Sequence, residues 1–179
     1  MQIPPVPRVL VHFAAPAGLA AVFLLACTLP SVSAAESLVV QPEVEKVNDD
    51  VMRQLDDNAL GGEYVIHRGD YQPLASIRVE EVEGDPLVVW ARLRGVAVQL
   101  KTIVDGQQKE RNWSWAKPAD WTWVKLGSVP RADAGEAFLI IRGPGAKENA
   151  GLDAVLVTSD GQLDPSALSP EELEKLQGE

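Results

Sequence analysis

The stretch Trp113-Ser114-Trp115-Ala116-Lys117-Pro118-Ala119-Asp120-Trp121-Thr122-Trp123 carries four of the five tryptophans of this chain. Tryptophan alternates with a polar residue in each pair, which is the period-two pattern of a β-strand, so each pair projects from one face of its own strand. The five residues between the pairs have the composition and length of a hairpin loop. The sequence therefore predicts a two-stranded ribbon with all four indole rings on one side.

Indole rings arrayed in this way either fill a core or form a surface on which flat apolar ligands, above all sugar rings, can stack. In the second strand Val124 and Leu126 occupy one face, whereas Trp121 and Trp123 share the other face with Lys125. We therefore expect the aliphatic side chains to face the core and the indole rings to face outward. The alternative is that two of the four tryptophans pack under loops.

Most of the chain reads as short strands that begin about every ten residues and are separated by glycine, proline and aspartate turns. The expected strands are Ser37–Gln41, Glu63–His67, Leu74–Val82, Leu87–Arg94, Val96–Val104, Arg111–Trp115, Trp121–Val129, Glu136–Arg142 and Leu152–Thr158. No long helical segment lies between them. This spacing predicts an all-β fold, an antiparallel β-sandwich that spans residues 36–160.

Two segments carry helical patterns. Apolar residues recur at helical spacing through residues 45–57, which predicts either a turn or two of amphipathic helix or a loop with buried side chains. Residues 161–179 form a tail in which Ser169 and Pro170 mark the start of a short helix. Because only Leu173 and Leu176 follow as apolar positions, we expect this tail to be mobile.

Residues 1–35 read as a secretory signal peptide, with an apolar run and a final Ala34-Ala35 suited to cleavage. We therefore expect a secreted or periplasmic protein without a membrane span, since the run is too short for a comfortable crossing. The alternative treats Leu24-Leu25-Ala26-Cys27 as a lipoprotein box, which leaves the mature chain lipid-anchored through Cys27.

Cleavage after Ala35 leaves 144 of the 179 residues and removes the single cysteine. Because Arg8 leaves as well, the formal net charge of the mature chain is −11 rather than −10. An acidic chain does not supply the lysine and arginine surplus that nucleic-acid binding needs. One histidine remains, His67, which we expect at a strand surface. The adjacent acids do not define a catalytic pair, so we expect a non-catalytic protein. The alternative is a glycan-active enzyme, a lyase or glycosidase fragment.

Several short stretches occur in an order that is typical of one group of sandwich proteins. They are Ala34-Ala35-Glu36-Ser37, Gly61-Gly62-Glu63-Tyr64-Val65, Leu87-Val88-Val89-Trp90-Ala91-Arg92, Trp121-Thr122-Trp123-Val124, Ala134-Gly135-Glu136-Ala137-Phe138-Leu139 and Gly151-Leu152-Asp153-Ala154-Val155-Leu156-Val157. Across about residues 36–160 the chain resembles the carbohydrate-binding modules of families six and thirty-five. The resemblance implies the galactose-binding-like β-sandwich, a jelly roll.

The resemblance also implies site residues. These modules typically hold a structural calcium ion between acids of the opening motif and the last strand, which correspond here to Glu36 and Asp153. Carboxylate oxygens are the ligands such an ion takes. The first acid of the usual opening motif is replaced by Ala34. Sugar binding in these modules commonly uses stacking aromatics and an asparagine before the final strand, which corresponds to Asn149.

The first hypothesis is therefore a secreted, non-catalytic module that binds a polysaccharide or other glycan. Stacking is assigned to Trp113, Trp115, Trp121 and Trp123, and hydrogen bonding to Asn149. The second hypothesis is a structural or protein-interaction sandwich of the cell envelope, in which the same aromatic strip docks on another chain. Exposure of the four indole rings is the property that separates these hypotheses from a simple core role.

Overall fold

The computed structural model describes residues 37–40, 51–80, 82–146 and 149–176. Within them the strands are β1 Ser37–Val40, β2 Val51–Leu55, β3 Glu63–His67, β4 Pro73–Arg78, β5 Leu87–Arg94, β6 Val98–Val104, β7 Gln107–Ser114, β8 Thr122–Val129, β9 Ala137–Arg142 and β10 Gly151–Thr158. The helices are α1 Arg131–Ala134 and α2 Pro170–Lys175, with 3₁₀ turns at Leu60–Gly62 and Pro165–Ala167. The expected signal peptide, residues 1–35, lies outside the described residues.

The strands form two antiparallel sheets, so the predicted β-sandwich is confirmed. Sheet A has the order β2-β3-β10-β5-β8, with β1 paired to the same side of β10 as β3. Sheet B has the order β4-β9-β6-β7. Alternate residues of both sheets point inward and meet in a core that includes the fully buried Leu93, Leu100, Phe138, Ile140 and Leu152. Burial of this apolar surface supplies the main stabilisation of the domain.

The hairpin between β6 and β7 explains why β7 starts earlier than the sequence pattern suggested. Val104 pairs with Gln107, and the two residues between them, Asp105 and Gly106, have positive φ values of 52° and 69°. This is the backbone that two-residue hairpin turns require, and Asp-Gly favours it. Residues 107–110 are polar and exposed at the sheet edge, so they lack the apolar alternation that marks a half-buried strand.

The helical reading of residues 45–57 is wrong where the structure describes them. Val51–Leu55 is an edge strand that pairs with β3, with Arg53 opposite Val65. The i, i+4 spacing of Val51 and Leu55 misled the prediction because strand pairing overrode the local periodicity. Leu55 is in fact 82% exposed, so it does not belong to a buried helical face.

The short helix expected in the tail is present, but it is packed rather than mobile. Ser169 Oγ accepts a hydrogen bond from the Glu172 backbone N–H at 3.3 Å, and a Glu172 carboxylate oxygen accepts one from the Ser169 N–H at 2.8 Å. This reciprocal cap fixes the start of α2. Leu173 and Leu176 are then buried against the outer face of sheet A, next to Leu156. The C-terminal segment, residues 163–176, therefore forms part of the folded domain.

Candidate functional site

The predicted ribbon of four tryptophans does not exist, because the two pairs belong to different sheets. β7, which ends at Ser114, pairs with β6 in sheet B, whereas β8, which starts at Thr122, pairs with β5 in sheet A. The segment between them crosses from one sheet to the other. Lys117 anchors it by donating from Nζ to the carbonyl oxygens of Pro144 and Gly145, both at 2.9 Å. A crossing segment and a hairpin loop have the same turn composition, so the sequence could not separate them.

Trp113 and Trp115 lie on the outer face of sheet B and stack on each other. Their ring centroids are 4.8 Å apart and their planes differ by 10°. Tyr71 completes the group, edge-on to Trp113 with a centroid distance of 6.1 Å. Trp115 is 62% exposed and Tyr71 is 60% exposed, while Trp113 is half-buried between them. We name these three residues the aromatic platform.

The aromatic platform rests on a cross-strand row of sheet B. Trp113 pairs with Gln99, and Gln99 pairs with Ile141, so these three side chains share the outer face. Gln99 and Ile141 are both buried beneath the aromatic rings. The next charged neighbours, Lys101 and Glu110, form an ion pair at 3.7 Å. The platform is therefore supported from below, and both Lys101 on the same sheet and Asp70 beside Tyr71 have partners of opposite charge.

Tyr71 was missed by the sequence analysis. The residues 68–72 loop holds it in place, because Arg142 donates to the Asp70 carboxylate at 2.9 Å and to the Arg68 carbonyl at 3.0 Å. The Tyr71 backbone N–H in turn donates to the Arg142 carbonyl at 2.8 Å. Tyr71 has a φ of 60°, an uncommon conformation for a bulky residue and one often found at functional positions. A lone tyrosine after a Gly-Asp turn carries no periodicity, so no local pattern could have identified it.

Trp121 is not part of the aromatic platform and lies in an aromatic and charged cluster at the end of sheet A. The Arg94 guanidinium is 4.3 Å from the Trp121 ring centroid and 5.1 Å from that of Tyr64. Trp121 Nε1 donates to the Asp56 carboxylate at 3.3 Å. The backbone N–H of Asn58, with help from Arg94, lowers the pKa of Asp56 to about 2, so that Asp56 is ionised at neutral pH.

An open cleft adjoins this cluster. It has a volume of about 450 Å³, and its polar lining includes Gln54, Asp56, Arg94, Asp120 and Asn149. A neighbouring hollow of about 430 Å³ shares Arg94 and Asp120 and reaches Trp121. Together they form one polar surface, which we name the cleft. The structure therefore brings Trp121 and Asn149 to the same cleft and separates both from the aromatic platform.

Trp123 has the orientation expected from the alternation but not the exposure. It lies on the outer face of sheet A, opposite Arg92 in the strand register, while Val124 packs toward the core. The C-terminal segment covers this face, and Trp123 packs in the same cluster as Leu168 and Leu173. A hollow of about 310 Å³ between the segment and the sheet leaves part of the ring accessible. Trp123 therefore faces outward as expected, but it is not freely presented, because the C-terminal segment packs against it.

The calcium ligands expected from the resemblance fit the structure poorly. Glu36 lies outside the described residues. Asp153 is 0% exposed, and both of its carboxylate oxygens accept a hydrogen bond from the Leu60 backbone N–H, at 3.0 and 3.1 Å. One of them is also paired with the Arg92 guanidinium. Across the described part of the chain, no group of three His, Cys, Asp or Glu side chains is placed to hold a metal ion. The calcium site stays a prediction that these residues do not support.

His67 is buried at the end of β3 rather than exposed at a strand surface, so that expectation is wrong. Its Nδ1 accepts a hydrogen bond from the Gly69 backbone N–H at 2.9 Å, which fixes the following turn. Such a contact is structural. Among the described residues there is also no helix with the length and apolar character needed to cross a membrane.

The two sheets and their antiparallel strand order define the class of protein as an antiparallel β-sandwich. In solved structures, the chain is similar to the Podospora anserina GH26-CBM35 β-(1,4)-mannanase, with a TM-score of 0.52 and 13% identity. The match covers 73% of this chain and 29% of that chain, so this protein corresponds to less than a third of the mannanase. Neither a family model nor a curated protein matches the sequence. The likeness shows the fold alone.

Proposed function

We propose that this protein is a non-catalytic carbohydrate-binding module that stacks a glycan on the aromatic platform. The observation that carries the proposal is the exposed face of Trp115, held parallel to Trp113 at 4.8 Å and flanked by Tyr71. Pyranose rings present apolar C–H faces of similar width to an indole ring. Stacking buries those faces and leaves the sugar hydroxyl groups to polar neighbours.

The geometry of the aromatic platform favours a role in sugar binding over a role in packing the protein core. A stacked pair loses little side-chain freedom on binding, because Trp113 already fixes Trp115 before a ligand arrives. Clusters of exposed apolar rings on soluble proteins commonly mark binding surfaces. The balanced pair of Lys101 and Glu110 beside the platform favours an uncharged glycan. The mannanase likeness makes β-1,4-mannan a reasonable first ligand to test.

The test is a titration of a polysaccharide panel, including β-mannan, cellulose, xylan and pectin, followed by tryptophan fluorescence and calorimetry. We expect one or more neutral glycans to bind, and Trp115→Ala to weaken that binding at least tenfold, about 1.4 kcal/mol. Trp115→Phe keeps an aromatic face and should retain part of the affinity. Trp123→Phe, on the covered face, serves as the matched control and should bind as the wild type does. Binding that survives Trp115→Ala unchanged would contradict the proposal.

We propose the cleft as a second contact for the same ligand class, through Trp121 and Asn149. It offers carboxylate, amide and guanidinium groups for sugar hydroxyls beside an indole edge. Asn149→Ala is expected to weaken the binding of soluble oligosaccharides about threefold or more and to leave Trp115-dependent retention on polymer unchanged. Equal affinity of Asn149→Ala and wild type for every oligosaccharide would remove the cleft from the site.

The second candidate function is docking of the aromatic platform on another protein chain. The exposure of Tyr71 and Trp115 is the observation that favours it, because a protein partner buries such rings equally well. Light scattering over a concentration series separates the two functions. Association that is lost in Trp115→Ala, without any glycan binding by the wild type, would replace the sugar proposal with this one.

Export remains part of the proposal, as a secreted or periplasmic domain released by cleavage near Ala35. Lipid anchoring through Cys27 is the alternative. Mass spectrometry of the mature N-terminus distinguishes them, since cleavage near Ala35 leaves an unmodified chain and the lipoprotein route leaves a diacylated cysteine at the first position.

A further inference from the structure

Residues 56–62 connect β2 to β3, and two arginines of β5 hold them in place. Asp56 and Asn58 of this segment line the cleft. Arg92 pairs with Asp153 and, through its other terminal nitrogen, donates to the Asn58 carbonyl at 3.2 Å. Arg94 pairs with Asp56. The other carboxylate oxygen of Asp56 accepts a hydrogen bond from the Asn58 backbone N–H at 2.9 Å. Each arginine therefore joins the connecting segment to the sheet.

Asp153 is the centre of this arrangement and its oxygens are already engaged. The Leu60 backbone N–H contacts both oxygens, and Arg92 contacts one of them. A calcium ion needs six to eight oxygen ligands, and its neighbours must leave lone pairs free to point at it. A guanidinium group has donors only and carries a positive charge of its own. Arg92 and a calcium ion therefore compete for the same carboxylate.

We propose that the Arg92 guanidinium takes the place of the structural calcium ion expected at Asp153, and that it latches residues 56–62 to the sheet without metal. We name Arg92, Asp153, Arg94 and Asp56 the arginine latch. Because Arg92, Asp56 and Asn58 all line the cleft, the latch also fixes the groups that any ligand bound there would meet. The latch does not depend on the proposed glycan function, and its test does not require a ligand.

The charges around Asp153 are consistent with this latch. Arg92 is the cation in contact with it, Asp56 is the nearby anion, and Arg94 neutralises Asp56. Burial raises the pKa of Asp153 to about 6, against the lowering effects of the Leu60 N–H and Arg92. Removing Arg92 takes away one of the groups that favour the ionised carboxylate, so the pKa of Asp153 should rise further in that variant.

The test is thermal unfolding of the full mature chain in EDTA and in millimolar calcium chloride. For the wild type we expect the two melting temperatures to agree within about 1 °C. Arg92→Met should lower the melting temperature by about 10 °C, since it leaves a buried carboxylate without its cation. Arg53→Met is the matched control, because Arg53 forms an exposed ion pair with Glu63 at 4.0 Å. It should shift the melting temperature by no more than about 3 °C.

A calcium-dependent rise of several degrees in the wild type, abolished in Asp153→Asn, would overturn the proposal. If Arg92→Met does not fold, Arg92→Lys and the double variant Arg92→Met with Asp153→Leu keep the proposal testable. The double variant removes both charges, so it should recover most of the lost melting temperature. A double variant that is as unstable as the strongest single variant would also overturn the latch.

A pH profile separates the latch from simple packing by the arginine side chain. Loss of stability with rising pH should move to higher pH in Arg92→Lys than in the wild type if the contact from one guanidinium nitrogen stabilises the ionised Asp153 carboxylate. An unchanged profile in that variant would assign Arg92 a packing role only and would contradict the proposal.

Discussion

The outer faces of the two sheets carry tryptophans from the same Trp-polar-Trp pattern, but these tryptophans differ in how far they are exposed to solvent. On sheet A, Trp123 lies beside Trp90 and is covered by the C-terminal segment. On sheet B, Trp113 and Trp115 stack in the open, with Tyr71 at their edge. Trp-polar-Trp fixes which face each ring takes, but a distant segment decides whether that face meets solvent. The comparison shows that Trp123 packs against a distant segment of the chain, whereas the ring of Trp115 is mostly exposed.

The largest expected effect is on the free energy of unfolding, and it distinguishes Trp123 from Trp115. Trp123→Ala should lower the free energy of unfolding by about 3 kcal/mol, because a ring packed against the C-terminal segment leaves a cavity. Trp115→Ala should lower it by about 0.5 kcal/mol or less, since the ring is mostly exposed. Urea unfolding of both variants gives the comparison. Equal destabilisation would mean that both tryptophans are structural.

The next prediction tests whether the C-terminal segment stabilises the domain by packing on the outer face of sheet A. Leu173→Ala should lower the free energy of unfolding by about 2.5 kcal/mol, because this leucine is buried on the outer face of sheet A. Leu55→Ala is the matched control, with the same substitution at a leucine that is 82% exposed, and should change stability by about 0.5 kcal/mol or less. Chemical denaturation measures both. An unchanged free energy of unfolding in Leu173→Ala would indicate that the C-terminal segment does not stabilise the domain.

Buried charge is a further difference between the two faces. The pKa of Asp153, in β10 of sheet A, is raised from 3.8 to about 6 by burial, so the folded state holds this proton more tightly than the unfolded state. Its contribution to stability is present below pH 3.8 and is lost as the pH rises through 6. The loss should be on the order of 3 kcal/mol.

Asp153→Asn should remove this part of the pH dependence, measured by urea unfolding between pH 4 and 7. Glu110→Gln, in the exposed ion pair of sheet B, is the control and should leave the pH dependence of stability between pH 4 and 7 unchanged.

Asp56 has the opposite effect on the pH dependence of stability, and it does so at lower pH. Its pKa is lowered to about 2, so its contribution is present above pH 3.8 and is lost as the pH falls through 2. An Asp153→Asn profile identical to that of the wild type would rule out Asp153 as the titrating group.

The smallest effect concerns salt. The charges beside the aromatic platform are paired, and stacking of a neutral sugar does not depend on net charge, so affinity should change less than about twofold between 50 and 500 mM NaCl. Calorimetry at the two salt concentrations measures this. A tenfold loss at high salt would point to an ionic ligand and to the charged cleft instead.

The sequence was sufficient for the sandwich and for most of its strands, because alternation and turn residues act locally. It was also sufficient for the face of Trp123 and for the cap at Ser169. It failed for the tryptophan ribbon, because Pro118 and its neighbours suit a segment that crosses between sheets as well as a hairpin. Burial of the C-terminal segment and the contact of Arg92 with Asp153 depend on residues far apart in the chain, which no local pattern encodes.

The most direct test of the account is hydroxyl-radical footprinting, read by mass spectrometry at each tryptophan with and without the glycan that binds best in the panel. The account predicts that Trp115 oxidises faster than Trp123 in the free protein, and that the glycan protects Trp115 and leaves Trp123 unchanged. Slow oxidation of Trp115 in the free protein, or a bound glycan that does not protect it, would contradict the account.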